Sequence, residues 1–242
     1  MEIRHVIMHM SINHTIAEAL AKVTARIHQA TLAAQREPES VRLIAVSKTQ
    51  PADAITQAYA CGQRDFGENY LQEALEKQAD LIHLPDIQWH FIGPIQSNKT
   101  RPIAENFAWI HSIDREKVAQ RLNDQRPDNL PPAQVCLQVN IDDETTKSGV
   151  RLAELPALAA AVSKLPRLQL RGLMAIPAAS NTPAQQHAAF AKLKDALEEL
   201  KAQGYPVDTL SMGMSGDLEA AIAEGSTMVR VGTDIFGVRI KA

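Results

Sequence analysis

Short apolar runs and amphipathic segments alternate along most of the chain. Eight of the apolar runs are bounded by turn residues and have the length and β-branched content of buried strands. These runs cover residues 41–47, 64–67, 87–92, 108–113, 134–141, 168–176, 208–214 and 228–232. Helical periodicity covers residues 51–61, 70–82, 115–126, 152–164 and 183–203, and another helix, at about 12–35, precedes the first strand. Asn13, Asp114 and Thr182 are predicted helix N-caps, because their side chains can accept from free backbone N–H groups.

This alternation predicts a single domain, a (β/α)8 TIM barrel with an extra N-terminal helix, over the 242 residues. The alternative is a doubly wound open sheet, which more often has about five to seven strands and a glycine-rich turn after the first strand. Here the turn at residues 47–51 contains no glycine. The barrel is therefore favoured.

Charge balance and cysteine content narrow the class of protein. The chain has 25 Lys and Arg against 28 Asp and Glu, a net charge of −3, which argues against a nucleic-acid partner. Cys61 and Cys136 have neither disulfide nor metal-site spacing, and Cys136 lies in an apolar run that predicts burial. No apolar run is long enough to cross a membrane, and the N-terminus lacks a signal-peptide pattern. We expect a cytoplasmic protein that binds neither nucleic acid nor membrane.

Residues 1–9 lack the periodicity of an element that packs on a barrel. They contain two histidines, an arginine and scattered apolar residues, and unanchored termini are usually poorly ordered. We expect this extension to be disordered and dispensable, with Met10 as an alternative start of the chain.

Functional residues of such barrels lie at the carboxyl ends of the strands. Lys48 directly follows the first strand. Burial there would favour a neutral, nucleophilic amine that can form a Schiff base with an aldehyde. A lysine at a strand end more often reaches into solvent, and position alone favours that interpretation.

Backbone groups after the last two strands form a second candidate. Ser215 and Gly216 precede a helix, so their N–H groups and the helix dipole could hold an anion. Ser215 or Asp217 could instead cap that helix. Gly232 and Thr233 follow the eighth strand, and phosphate sites in barrels typically use the loops after strands seven and eight.

Arg230 is predicted to point into the barrel, since Val229 and Val231 on the other face suit the helix layer. A buried guanidinium needs a partner, and the inward Glu68 is one alternative to a ligand. A lysine, an anion cradle and an inward arginine together suggest an aldehyde with a phosphate and a ring nitrogen, which is pyridoxal 5′-phosphate (PLP).

No metal site is expected. His90 and His111 end adjacent strands, but a third ligand with suitable spacing is missing, so both are interpreted as structural. The acidic loop at residues 142–149 does not follow the spacing of a calcium loop.

Seven motifs resemble, in the same order, the pyridoxal phosphate homeostasis protein family. They are VSKTQP (46–51), FGENYLQE (66–73), WHFIGPIQSNK (89–99), KSG (147–149), RGLMAIP (171–177), LSMGMSGD (210–217) and GSTMVRVGTDIFG (225–237). The resemblance extends over essentially the whole chain, from about residue 11 to residue 237.

The resemblance implies a single-domain PLP barrel of the alanine racemase type that keeps the free cofactor level in balance. It implies that Lys48 forms the Schiff base, that Arg230 faces the pyridine nitrogen, and that Asn69 and Met174 line the pocket. The residues that would hold the phosphate are Ser215, Gly216, Gly232 and Thr233. A second lysine, Lys147 or Lys241, is a further candidate for PLP attachment.

The alternative is a PLP-dependent racemase or decarboxylase on the same barrel. Racemases of this type carry a second, C-terminal β domain and a catalytic tyrosine, whereas this sequence ends five residues after Gly237. Its tyrosines, Tyr59, Tyr70 and Tyr205, lie in predicted helices or loops. An arginine beside the pyridine nitrogen also weakens the electron sink of the cofactor. We therefore expect a monomeric PLP carrier without catalytic residues, which makes transient contacts with PLP-requiring apoenzymes.

Overall fold

Eight parallel strands close into a barrel in chain order, with the last strand paired to the first. The computed structural model describes residues 2–143, 148–178 and 182–237, with side chains from residue 16 onward. The strands are β1 (Arg42–Val46), β2 (Asp65–Glu68), β3 (Gln88–Phe91), β4 (Trp109–Ile113), β5 (Ala133–Gln138), β6 (Leu168–Met174), β7 (Thr209–Ser211) and β8 (Met228–Val231). The predicted barrel is confirmed, and the open sheet is excluded because a closed barrel has no edge strand.

Helices surround the barrel in the connections between strands, before the first strand and after the last. They are α1 (Glu2–Ala33), α2 (Ala52–Ala60), α3 (Leu71–Asp80), α4 (Thr100–Asn106), α5 (Glu116–Gln125), α6 (Leu155–Val162), α7 (Pro183–Ala202), α8 (Leu218–Ala223) and α9 (Thr233–Phe236). Two 3-10 turns, Ser97–Lys99 and Leu152–Glu154, lead into α4 and α6.

The predicted strands and helices are confirmed, although their first and last residues differ from the predicted ones. The differences concern one short helix and the residues that begin two others. Helix α4 was not predicted, because it has only seven residues and contains Pro102 near its start. Thr182 caps α7 as predicted, accepting from the N–H of Gln185 at 3.4 Å. Asp114 does not cap α5: Arg115 occupies the N-cap position, and the Asp114 carboxylate binds the Arg115 guanidinium instead.

Helix α1 begins at Glu2 rather than near residue 12, so Asn13 lies inside it and is not its N-cap. Its described apolar stripe, Ile16, Leu20, Val23 and Ile27, follows helical spacing and is buried. This stripe packs α1 against α8 and α9, beside the last two strands. The prediction that residues 1–9 are dispensable stays a prediction.

The outward and inward faces of the barrel strands are packed differently. Outward side chains form the apolar layer beneath the helices, which explains why the strands appear as near-continuous apolar runs. The inward apolar cluster is small and consists of Ile44, Trp109, Cys136, Met174 and Met228. Cys136 is fully buried, as predicted, and burial raises the pKa of its thiol to about 12.

The helices were also compared with the requirements of a membrane-spanning segment. Within the described part of the chain, no helix combines the length and apolar character needed to cross a bilayer.

Candidate functional site

The predicted site residues gather at the carboxyl end of the barrel. Lys48 and Asn69 follow β1 and β2, and Met174 is the last residue of β6. The remaining residues lie at β7 and β8, and they are Ser215, Gly216, Arg230, Gly232 and Thr233. Because β8 pairs with both β1 and β7, the two candidate phosphate loops and the Lys48 turn are neighbours. Lys147 and Lys241 lie outside the described residues.

Lys48 lies two residues beyond Val46, on a turn that is rigidly held. Its side chain is partly buried at the mouth of the barrel. The next residue, Thr49, has φ of +64°, a left-handed conformation that strains a β-branched residue by roughly 1 kcal/mol or more. The Thr49 N–H donates to Glu73 Oε1 at 2.5 Å, which fixes this conformation. The reactive lysine candidate is therefore carried by a preorganised turn.

A buried ionic cluster beneath this turn was not found from the sequence. Lys77 of α3 is only 5% exposed, and its Nζ donates to Ser47 O at 2.7 Å, Glu68 Oε1 at 2.8 Å and Glu73 Oε1 at 2.5 Å. The Ser47 hydroxyl also donates to Glu68 Oε1, at 2.6 Å. Burial raises the pKa of Glu68, while the Lys77 ammonium opposes this shift. The cluster ties the ends of β1 and β2 to α3.

Glu68 therefore does not pair with Arg230, which was the alternative considered for that arginine. Its Oε1 is taken by Lys77 and Ser47. Its Oε2 is buried and has no hydrogen-bond partner among the described residues. The orphaned oxygen lies at the end of β2, beside the turn that carries Lys48.

Ser215 and Gly216 form the tip of a tight turn. The Asp217 N–H donates to Met214 O at 3.1 Å, and the Met214 N–H donates to Asp217 Oδ1 at 2.6 Å. Asp217 is thus the N-cap residue of α8, but its carboxylate closes the turn rather than capping the helix. The N–H groups of Ser215 and Gly216 make no hydrogen bond with the described residues. A Cβ added at Gly216 would meet no atom within 4 Å, so the tip is open to a ligand.

Arg26 of α1 holds the back of this turn and is a second residue that sequence reasoning missed. Its guanidinium donates to Ser215 O at 3.0 Å and to Glu219 of α8 at 2.9 Å. It also binds Asp234 of α9 at 2.7 Å. One side chain therefore connects the helices that follow both β7 and β8. Since Arg26 and Ser215 are 189 residues apart in the chain, no local pattern could have indicated this contact.

Gly232 and Thr233 form the start of α9. The N–H groups of both residues make no hydrogen bond with the described residues, as expected for the first turn of a helix. A Cβ at Gly232 would lie 3.0 Å from Val46 O, so this glycine allows close packing of β8 on β1. A side chain at this position would therefore crowd β1.

Arg230 points into the barrel as predicted and is 4% exposed. Its Nη1 donates to Ser211 O at 2.6 Å and to Ser211 Oγ at 2.9 Å, and its Nη2 donates to Ala175 O at 3.0 Å. Among the described residues, no carboxylate forms an ion pair with it. Burial lowers the pKa of Arg230 to about 10, so the group is still charged at neutral pH. Two of its five N–H donors make no hydrogen bond with the described residues and can serve a ligand.

Asn69 and Met174 complete the described pocket. Met174 is fully buried in the inward cluster. Asn69 Oδ1 is buried without a partner among the described residues. Asn69 also borders a cavity of about 220 Å³ at the mouth, together with Ile92, Pro94, Gln138, Ser148 and Ile176.

His90 and His111 lie inside the barrel, hydrogen-bonded to each other at 2.9 Å. No group of three metal-ligating side chains occurs in the part of the chain that the structure describes.

Comparison with known proteins places this geometry in a family. The model of the alanine racemase N-terminal domain matches residues 19–240. The pyridoxal phosphate homeostasis protein of Pseudomonas aeruginosa is 63% identical over 225 residues, 93% of this chain and 96% of that protein. Its namesake from Escherichia coli K12 is 54% identical over 226 residues, 93% of this chain and 97% of that one. The chain belongs to the pyridoxal phosphate homeostasis protein family.

A solved structure from this family has the same barrel. PipY of Synechococcus elongatus PCC7942, determined with PLP bound, is 44% identical, with a TM-score of 0.79. The match covers 92% of this chain and 100% of PipY. The resemblance inferred from the seven motifs is therefore confirmed.

The described residues of this homeostasis-family barrel fit PLP. A partly buried lysine suits the aldehyde, and two unpaired pairs of backbone N–H groups suit a phosphate. A charged arginine without a carboxylate partner suits an acceptor such as a ring nitrogen. The orphaned oxygens of Glu68 and Asn69 provide acceptors for a ligand with hydroxyl or N–H groups.

Proposed function

We propose that this chain binds PLP covalently through Lys48 and acts as an intracellular carrier and buffer of the cofactor. The observation that supports this most strongly is the convergence of three complementary groups on one mouth of the barrel. These groups are a lysine on a fixed turn, unpaired N–H groups on two neighbouring loops, and a buried arginine with free donors. The name of the curated relatives and the PLP in PipY support the same assignment.

Each part of the cofactor has its own partner in this proposal. Bound PLP supplies an electrophilic aldehyde and a conjugated pyridine ring. Lys48 Nζ would bond to the aldehyde carbon, and the aldehyde oxygen would leave as water. The N–H groups of Ser215, Gly216, Gly232 and Thr233 would hold the phosphate. Arg230 donates to the pyridine nitrogen.

Asn69 and Met174 line the ring pocket from the other side of the mouth. The Asn69 amide oxygen is an orphaned acceptor. Met174 offers an apolar, polarizable surface at the end of β6.

A carrier role is favoured over a racemase or decarboxylase because Arg230 faces the pyridine ring in this proposal. An arginine donates a hydrogen bond to the pyridine nitrogen and disfavours its protonation, so the ring is a poor electron sink for carbanion chemistry. Two of the three tyrosines, Tyr59 and Tyr205, also lie away from the mouth of the barrel. Tyr59 donates to Asp86 on the helix layer, Tyr70 is 53% exposed, and Tyr205 lies in the turn after α7. No observation specifically supports the racemase.

The assignment to Lys48 is tested with Lys48→Ala, and with Lys99→Ala as the matched control, since Lys99 is an exposed lysine on the same rim. The wild type and both variants are mixed with PLP, reduced with borohydride and digested, and the modified peptide is located by mass spectrometry. We expect a single labelled peptide containing residue 48 in the wild type and in Lys99→Ala. We expect loss of that label and of the visible absorbance in Lys48→Ala, with an unchanged melting temperature.

Two outcomes would contradict this assignment. Undiminished labelling of Lys48→Ala would place the main attachment elsewhere, with Lys147 and Lys241 as the residues to sequence. Racemisation of an amino acid by the loaded wild-type protein, abolished in Lys48→Ala, would establish an enzyme instead of a carrier. Release of PLP to an apoenzyme, the cytoplasmic location and the monomeric state stay predictions.

A further inference from the structure

Five polar side chains form an unbroken line of hydrogen bonds through the interior of the barrel. Asp65, at the amino end of β2, lies 2.9 Å from His90 Nε2 through its Oδ1. His90 Nδ1 lies 2.9 Å from His111 Nε2, and His111 Nδ1 lies 2.8 Å from Ser211 Oγ. Ser211 Oγ in turn accepts from Arg230 Nη1 at 2.9 Å. The line thus joins the amino end of the barrel to the arginine at the candidate site.

The chemistry of its two ends gives this line one direction. The Asp65 carboxylate can only accept, so His90 Nε2 carries the proton, and a neutral His90 accepts at Nδ1. His111 must then donate from Nε2 and accept at Nδ1, where the Ser211 hydroxyl donates. Ser211 Oγ is left to accept from Arg230, whose guanidinium can only donate. Every hydrogen in the line therefore points away from Arg230.

Burial keeps both imidazoles neutral, as this direction requires. His90 and His111 are fully buried, and burial lowers the pKa of each. The neighbouring His90 and Arg230 lower the pKa of His111 further. Arg42 of β1 donates to the same Asp65 oxygen at 3.3 Å, so that end of the line also contacts a guanidinium.

The line also fixes the guanidinium. Ser211 occupies both hydrogens of Arg230 Nη1 through its carbonyl and its hydroxyl, and Ala175 O occupies one hydrogen of Nη2. The Ser211 hydroxyl accepts from Arg230 while its own hydrogen is committed to His111. Rotation of that hydroxyl would turn a hydrogen toward the guanidinium and break the contact.

We infer that Asp65, His90, His111 and Ser211 are positioning residues that hold Arg230 in place to donate to the pyridine nitrogen of PLP. This role rests on the proposed function. Through Arg230, these polar residues inside the barrel would influence the electronic state of the bound pyridine ring. Asp65 acts at a distance of four hydrogen bonds, because its carboxylate sets the direction of the whole line.

The direction of the line is tested without any ligand, by two-bond 1H–15N correlation NMR of the histidine rings in the purified full-length chain. We expect two imidazoles, assigned by His90→Gln and His111→Gln, to be neutral Nε2–H tautomers at neutral pH. We expect Asp65→Asn, whose amide can also donate, to change the His90 tautomer population. A protonated Nδ1 on either ring of the wild type would reverse the line and overturn the inference.

The effect on the cofactor is tested with Ser211→Ala in the PLP-loaded chain. The matched control is Ser226→Ala, since Ser226 is another fully buried hydroxyl that bonds only to backbone carbonyls outside the line. We expect Ser211→Ala to keep the borohydride-reducible adduct and to change the absorbance band of the bound ring. We expect it to weaken PLP binding by about fivefold, which corresponds to the loss of one hydrogen bond. Asp65→Asn should shift that band in the same direction by a smaller amount, and Ser226→Ala should leave it unchanged.

Unchanged absorbance in both Ser211→Ala and Asp65→Asn would overturn the positioning role, even with the expected tautomers. An equal change in Ser226→Ala would also overturn it, since a general loosening of the barrel would then explain the data. Failure of the proposed function is recognised separately, because the wild-type protein itself would then form no adduct with PLP.

Discussion

The buried His90–His111 pair predicts a specific loss of stability in acid, and His111→Gln is the change that measures it. Both rings are fully buried and have lowered pKa values in the folded chain. The unfolded chain takes up protons at each histidine below the ordinary value of 6.5, whereas the folded chain does not. The contribution to stability is therefore fully present above pH 6.5 and is lost as the pH falls toward the folded pKa.

The magnitude follows from proton linkage. Each proton bound only by the unfolded chain changes the free energy of unfolding by about 1.4 kcal/mol per pH unit at full protonation. Integrated over the first pH unit below the ordinary histidine pKa, one fully resistant ring lowers the free energy of unfolding by about 1 kcal/mol. The groups that face the pair are Asp65, Arg42 and Arg230, and they remain in the variant. Glu68 and Asp217, whose pKa values burial raises, titrate in both proteins and cancel in the comparison.

Urea unfolding is followed by circular dichroism at several values between about pH 7.5 and 5.5. It gives the slope of the free energy of unfolding against pH directly. We expect His111→Gln to be less stable than the wild type at neutral pH, yet to lose about 1 kcal/mol less over the acidic unit. His28→Gln, which removes an exposed imidazole on α1, is the control and should keep the wild-type slope. A wild-type slope in His111→Gln would refute the reasoning, because the ring would then bind its proton equally in both states.

Three further outcomes are expected. Arg230→Glu should change the absorbance of bound PLP while the adduct persists, since a carboxylate favours a protonated ring nitrogen, and an unchanged spectrum across neutral pH would argue that Arg230 does not face the ring. Arg26→Met should weaken PLP binding about fivefold in a titration. It should lower the free energy of unfolding by no more than about 1 kcal/mol, because the ion pairs that Arg26 makes are partly exposed. Unaltered affinity would show that the turn at Ser215 keeps its shape without the contact from α1. Deleting residues 1–9 should leave the melting temperature and the PLP affinity unchanged, and a clear fall in either would show that this segment packs on the barrel.

Much of the barrel could be predicted because local patterns carry it. The strand faces beneath the helices are apolar, and each helix needs only one apolar stripe, so the strand and helix patterns separate cleanly. Helix α4 was missed because seven residues with an internal proline give too little periodicity. The bounds of β7 were overextended to residue 214, since the turn that follows Ser211 is also apolar.

The position of the candidate site could be predicted for a related reason. In parallel barrels the carboxyl ends of all strands meet on one face, so Lys48, Asn69 and Gly232 come together whatever the details of packing. The partners of these residues could not be predicted. The pairing of Lys77 with Glu68, and of Arg26 with Ser215, depends on how α3 and α1 dock.

The sequence by itself determined the order of strands and helices, the inward direction of Arg230 and the end of the barrel at which the candidate site lies. These properties follow from periodicity and from the fixed alternation of side chains along a strand, which act over a few residues. Only the tertiary structure decided that Glu68 neutralises Lys77 rather than Arg230, and that two histidines join Asp65 to Ser211. Hydrogen bonds are sensitive to shifts of a few tenths of an ångström, and such distances are set by strand register and barrel closure, which no local stretch of sequence contains.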